Sequence, residues 1–136
     1  MAVVGINHVT LCVSDLERSI AFYTNVLGFA AVASWSKGAY LEAGQLWLAL
    51  ILNPDYSRDD NEDYSHIALT CQAAEFETLS SKLEEAGVRE WSTNLSEGNS
   101  KYFCDPDGHQ LEIHVGDLKT RLSEMRKNPW EEIKFF

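Results

Sequence analysis

Basic side chains are scarce in this sequence. Eleven Lys and Arg stand against 21 Asp and Glu among 136 residues, a formal charge of −10, whereas a protein that displaces counterions from a phosphate backbone needs clustered cations. That balance argues against nucleic acid as a partner. Cysteine is also sparse: Cys12, Cys71 and Cys104 are odd in number, dispersed and embedded in apolar runs, which suits reduced, buried thiols in the cytoplasm better than a disulfide framework. Long hydrophobic runs are missing. None approaches the length a bilayer needs, and the N-terminus lacks a basic segment ahead of an apolar one, so neither a membrane span nor a signal peptide is expected. The expectation is one domain, 1–136, large enough to bury roughly two-thirds of its unfolded surface and to carry an internal site.

What is present repeats itself. In a first module, 5–52, INHVTLCV alternates as a strand does and puts His8, Thr10 and Cys12 on one face. Ser14 or Asp15 can cap a helix in which Leu16, Ile20, Tyr23 and Leu27 recur at helical spacing, with Gly28 at the left-handed C-cap position. AAVASW, GAYLEA and LWLALIL follow as strands. A second module, 64–116, keeps the order: YSHIALTC carries His66, a helix shows Phe76, Leu79 and Leu83 on one side and ends at Gly87, and VREWST, SKYFCD and QLEIHV follow, the last two joined by the turn DPDGH. Between the modules NPDYSRDDNEDY is polar and acidic enough for an exposed linker. A C-terminal helix and tail, 117–136, set Leu118, Leu122 and Met125 on one side and end in two phenylalanines expected against the core or a partner. The pattern predicts an α+β fold of two paired βαβββ modules.

A lone strand histidine is usually a satisfied core residue, but His8 and His66 stand at matched positions of two copies. If the modules pair about a pseudo-twofold axis, their first strands lie side by side and both imidazoles face a common cleft. Glu112 interrupts the apolar strand GHQLEIHV, and a buried carboxylate is costly unless it is paired or binds metal. Two imidazoles and a carboxylate make an ordinary ligand set for Mn2+, Fe2+ or Zn2+. The first module offers Leu48 where the second has Glu112, so three protein ligands leave positions open to a substrate. His109, at the turn, is expected in solvent. His114 shares the strand face of Glu112 and is expected behind the ligands or in the core.

The motifs INHVTL, SIAFYTNVLGF, GAYLEAG, DYSHIA, VREW, SEGNS, DPDGHQLEIHVGDL and the closing KFF together resemble the vicinal oxygen chelate superfamily of glyoxalases, extradiol dioxygenases and bleomycin-binding proteins. The closer match is to the fosfomycin resistance proteins of the Mn2+-dependent glutathione transferase type. The resemblance implies a glyoxalase-like fold, a homodimer with exchanged strands in which each metal site draws on both chains, and Mn2+ held by His8, His66 and Glu112. It implies that fosfomycin occupies the open metal positions and that glutathione thiolate attacks an epoxide carbon, with the metal as Lewis acid. Thr10, Ser96, Ser100, Tyr102 and Arg121 match residues that hold the phosphonate. Asn94, Ser96, Glu97, Gly98 and Ser100 match a loop that binds an activating K+. Tyr40 and Trp47 match the pocket lining, Tyr40 near the thiol, and Thr10, Tyr40 and Arg121 are the candidate catalytic residues.

Three positions depart from that pattern: Ser92 stands for a lysine after EW, Leu95 for an arginine before SEG, and Ile67 for a tyrosine after the second histidine. They bear on phosphonate affinity and on the identity of the thiol, and leave the metal ligands intact. The alternatives are a metal-dependent epoxide hydrolase, for which Glu42 in YLEAG is the candidate base, a bacillithiol or other thiol transferase, and a drug-sequestering module without catalysis, which has no need of metal ligands.

Overall fold

The computed structural model describes residues 2–59 and 63–136. The first module contains β1 (Val9–Val13), α1 (Leu16–Ala21), β2 (Ala30–Trp35), β3 (Gly38–Ala43) and β4 (Leu46–Leu52). The second contains β5 (Ile67–Thr70), α2 (Phe76–Glu85), β6 (Glu90–Ser92), β7 (Ser100–Cys104) and β8 (Gln110–His114), and α3 (Leu118–Lys127) follows. Each module makes a four-stranded sheet of the same topology, β1-β4-β3-β2 in one and β5-β8-β7-β6 in the other. In each, the first strand runs parallel to the last and the remaining pairs are antiparallel. The α+β architecture of paired modules is therefore as the repetition predicts.

Local chemistry accounts for the boundaries. Asp15 is the N-cap that opens α1, accepting from the backbone N–H of Arg18. The helix loosens into a single π-helical turn over Phe22–Val26 and stops where Gly28 takes φ +81°, a conformation that side chains with a Cβ avoid. In β1, Val9 and Leu11 pack against the core and Val13 is buried, while Thr10 is exposed. The same alternation sends Leu111 and Ile113 of β8 into the core and turns Gln110, Glu112 and His114 to the opposite face.

The two modules share one core. Val13, Phe22, Leu41 and Leu50 of the first and Phe76, Leu83, Phe103 and Leu111 of the second belong to one apolar cluster; burying a side chain of this size contributes about 1.5–3 kcal/mol. A polar clamp holds the junction. The turn DPDGH docks on the start of α1, where Asp107 accepts from the Ser14 hydroxyl, the Ser14 N–H at 3.1 Å and the Arg18 guanidinium at 3.3 Å. Tyr23 donates to buried Asp105 at 2.7 Å.

Two expectations are corrected here. β1 and β5 are not hydrogen bonded to each other. They flank an apolar cleft of about 520 Å³ lined by residues such as Ile6, Val9, Leu46, Ile67 and Ile113, with neither His8 nor His66 among them. Alternation explains this, since the side chains that seal the junction are the neighbours of the histidines and so point the other way. His109 is half-buried: Nε2 bonds the Cys12 carbonyl at 2.7 Å and the ring stacks on Tyr56, because the turn packs on the other module instead of meeting water. The linker is exposed over most of its described part, as expected, with Tyr56 and Arg58 half-buried and Arg58 donating to Gln110 at 2.7 Å; residues 60–62 lie outside the described residues. Of the two places expected for the terminal phenylalanines, the core of their own chain is not the one they take. Phe136 is fully exposed, and Phe135 is met by the Arg126 guanidinium 4.7 Å from its ring centre, a cation–π contact.

Candidate active site

On the outer face of the second sheet, the register sets Tyr102 beside Glu112 and Ser100 beside His114. Glu112 is 5% exposed, and its two oxygens are claimed separately. Oε2 accepts from the Ser100 hydroxyl at 2.6 Å; Oε1 lies 2.9 Å from His66 Nε2. The opposite nitrogen of that imidazole, Nδ1, lies 2.7 Å from the Tyr64 carbonyl, which can only accept. A neutral imidazole carries a single N–H; placed on Nδ1 by the Tyr64 carbonyl, it leaves the Nε2 lone pair facing the carboxylate, whereas an imidazolium donates at both nitrogens. Two acceptors at that distance are held together by positive charge between them, a proton or a metal ion. An imidazole fixed by a carbonyl at one nitrogen and open at the other has the arrangement of a metal ligand.

Aromatic rings wall this pair. Trp91, Tyr102 and Tyr64 have ring centres 5.2, 5.9 and 5.0 Å from that of His66. Trp91 is anchored by its indole N–H on the Leu111 carbonyl at 2.9 Å, and the register irregularity between Glu90 and Ser92 lets it join the face that Ser92 shares with Tyr102. Burial, the hydrogen bond with Tyr64 and the nearby Glu112 push the Tyr102 hydroxyl up to about 12.

The loop before β7 closes on itself. The Asn94 amide donates to the Gly98 carbonyl at 2.8 Å, and Asn94 Oδ1 accepts from the Ser96 N–H and hydroxyl. Gly98 has φ +76°, and a Cβ there would stand 2.6 Å from the Val115 carbonyl, so only glycine fits this approach. Glu97 accepts from Arg121 Nε at 2.8 Å. Arg121 lies in the first turn of α3, whose start is fixed by a reciprocal capping box between Asp117 and Thr120. The chain thus gathers His66, Glu112, Ser100, Tyr102, Ser96, Asn94, Glu97, Gly98 and Arg121 at one end of one sheet.

The remaining candidates lie on the outer face of the other sheet. Thr10 and Tyr40 both pair with Ala49, and Glu42 pairs with Trp47. The His8 ring packs on Trp47 with centres 4.4 Å apart, and its Nδ1 meets Asn7 Oδ1 at 2.7 Å, which leaves Nε2 as its available ligand atom. Tyr40 and Trp47 are each 37% exposed. Among the described residues no three His, Cys, Asp or Glu side chains converge as a metal-binding group: one chain brings together two of the three expected ligands, and His8 stands apart. Sequence reasoning missed Trp91 and Tyr64. A bulge and a main-chain acceptor leave no mark in residue type, and only Tyr64 two residues before His66 and Trp91 in the strand VREWST hinted at them.

The family model of the Glyoxalase/Bleomycin resistance protein/Dioxygenase superfamily matches residues 5–113. The chain is 46% identical over 133 residues to the glutathione transferase FosA of Serratia marcescens, covering 96% of this chain and 94% of that protein. It is 40% identical over 131 residues to the metallothiol transferase FosB of Lysinibacillus sphaericus, covering 93% of each. Among solved structures, the fosfomycin resistance protein FosX of Listeria monocytogenes complexed with Mn(II) and sulfate is similar at a TM-score of 0.77 and 30% identity, over 90% of this chain and 98% of that one.

Proposed function

The chain belongs to the Glyoxalase/Bleomycin resistance protein/Dioxygenase superfamily, and from that premise we propose that it opens the epoxide of fosfomycin by transfer of a thiol, glutathione in the first instance, and so confers resistance. The observation that carries the proposal is the 2.9 Å approach of His66 Nε2 to Glu112 Oε1, which sets an imidazole nitrogen and a carboxylate oxygen where one metal ion can be held by both. An imidazole nitrogen and a carboxylate oxygen suit Mn2+. His8 is the third ligand in this reading, supplied by a second copy of the chain in a strand-exchanged homodimer. Mn2+ bound there supplies Lewis acidity at the epoxide oxygen.

The remaining work falls to side chains. Tyr102, with its hydroxyl held at about 12, stays neutral and donates to the phosphonate instead of repelling it. Arg121, oriented by Glu97 at 2.8 Å, brings the balancing charge, the exposed Thr10 adds a hydroxyl donor, and Ser96 and Ser100 complete the proposed phosphonate-holding set. Tyr40 and Trp47 form the wall against which the thiol enters, the Tyr40 hydroxyl beside its sulfur. K+ is the proposed occupant of the oxygen-rich loop formed by Asn94, Ser96, Glu97, Gly98 and Ser100. That the three cysteines form no disulfide among the described residues accords with a reducing cytoplasm, where glutathione is at hand.

A specific observation supports a second reading. Glu42 is exposed on the face it shares with Trp47 and Tyr40, where it can serve as base for a water nucleophile, making the protein an epoxide hydrolase. Phosphorus NMR of fosfomycin turnover with Mn2+ and glutathione, bacillithiol or no thiol separates the readings by product, a thiol adduct or a diol. In that assay His66→Ala abolishes turnover while the protein stays folded. Wild-type turnover in the variant with Mn2+ bound would overturn the ligand assignment.

A further inference from the structure

We infer that His114 is a positioning residue for Glu112, acting through the hydroxyl of Ser100; the inference rests on the metal-site reading above. His114 Nδ1 lies 3.5 Å from Glu112 Oε2, and Ser100 Oγ bridges the gap, 2.6 Å from each. Hydrogen counting gives the bridge a direction. A carboxylate only accepts, and a hydroxyl has one hydrogen to give, so Ser100 donates to Glu112 and His114 must donate from Nδ1 to Ser100. That leaves Oε2 occupied and Oε1 turned to His66.

The imidazole is itself held in a slot. A Cβ on Gly98 would lie 3.3 Å from its Cε1 and one on Gly116 2.9 Å from its Nε2, and both glycines have positive φ, +76° and +139°. Beyond the ring, Nε2 is 3.6 Å from Glu97 Oε1, the carboxylate that also receives Arg121. One ring therefore joins the loop before β7, the first turn of α3 and the inner oxygen of Glu112. Without its Nδ1 donor, Ser100 is free to rotate and Glu112 loses the bond that fixes its plane.

Mn2+ binding to the full-length protein, read from the paramagnetic resonance of the free aquo ion, tests this without recourse to turnover. His114→Phe and Ser100→Ala each weaken Mn2+ binding by roughly ten- to hundredfold, the usual effect of losing a group behind a metal ligand. His114→Asn, whose amide can donate from near the Nδ1 position, stays close to wild type. The double variant Ser100→Ala/His114→Phe binds no more weakly than either single one, because both remove the same bond. Wild-type affinity in a folded His114→Phe, or losses that add in the double variant, overturns the inference provided Glu112→Ala still abolishes binding. If His114→Phe does not fold, the Ser100→Ala and His114→Asn arms decide in the same way. Wild-type protein that binds no Mn2+, or binds it without dependence on Glu112, removes the metal reading and this inference with it.

Discussion

Ser92 lies opposite Tyr102 in the pairing of β6 with β7, on the face that carries Ser100 and Glu112. A lysine there would bring a cation to the phosphonate, and Lys101 in the facing strand does not substitute for it. Lys101 follows the opposite alternation and is engaged by Glu90 and Glu84, as its adjacency to Tyr102 requires. A charge-assisted hydrogen bond to a buried anion is worth about 1.5–3 kcal/mol, or roughly one to two decades in affinity. Ser92→Lys therefore raises kcat/KM for fosfomycin at least several-fold without changing metal content. Steady-state kinetics with metal analysis on the same samples checks this. A neutral or harmful effect in folded, metal-loaded protein would mean that the pocket is fitted to another substrate or already holds its second cation.

Among the elements, two turns carry testable chemistry. In DPDGH, Asp105 accepts the N–H groups of Asp107 and His109 and the Tyr23 hydroxyl. Burial nonetheless pushes its carboxyl above the ordinary range, outweighing those bonds and the nearby His109. Between the usual aspartate value of about 4 and the raised folded value, the native state binds more protons than the unfolded one, so this residue's contribution to stability falls as pH rises through that window. Asp105→Asn keeps an acceptor for the backbone and removes the ionisation. Its thermal unfolding midpoint, followed from acid to neutral pH, declines less with rising pH than that of the wild type; parallel curves would show that Asp105 is not the source. The loop from Asn94 to Ser100 concentrates oxygen atoms around the Asn94–Gly98 contact. Replacing K+ with Na+ at constant ionic strength lowers the turnover rate several-fold, and equal rates in both salts would leave this segment as a turn only.

For the whole molecule, the proposed ligand set leaves each chain with two incomplete half-sites. His66 and Glu112 face out from one sheet, and His8 faces out from the other beside Tyr40 and Trp47, both over a third exposed. Exposed aromatics on one face and unpaired outer strands are features that a second copy covers. The resulting prediction concerns mixtures. His8→Ala and Glu112→Ala chains are each inactive alone, but a heterodimer in which sites are shared has one intact set of ligands and one doubly damaged set. Mixing the two unfolded proteins in equal amounts and refolding them restores about a quarter of wild-type activity, since half the dimers are mixed and half their sites are whole. No recovery in a mixture shown to exchange chains would place all three ligands within one chain.

Much of the architecture was legible in residue order because it is set locally. The strands at 30–35, 38–43 and 46–52 match the apolar runs as read; a cap at Asp15 and positive φ at Gly28 and Gly87 follow from what side chains and glycines can do without reference to distant parts of the chain. The pairing of Glu112 with His66, the loop before β7 and the outward direction of Lys101 were also within reach, since alternation decides which residues share a face. It does not decide where that face goes. The separation of His8 from the other two ligands, the burial of His109 on Cys12, the bulge that admits Trp91 and the glycine slot around His114 all depend on how two sheets and their turns pack across the shared core. Such packing is selected by the total apolar surface removed from water, a property of the folded chain as a whole and not of any stretch of its sequence.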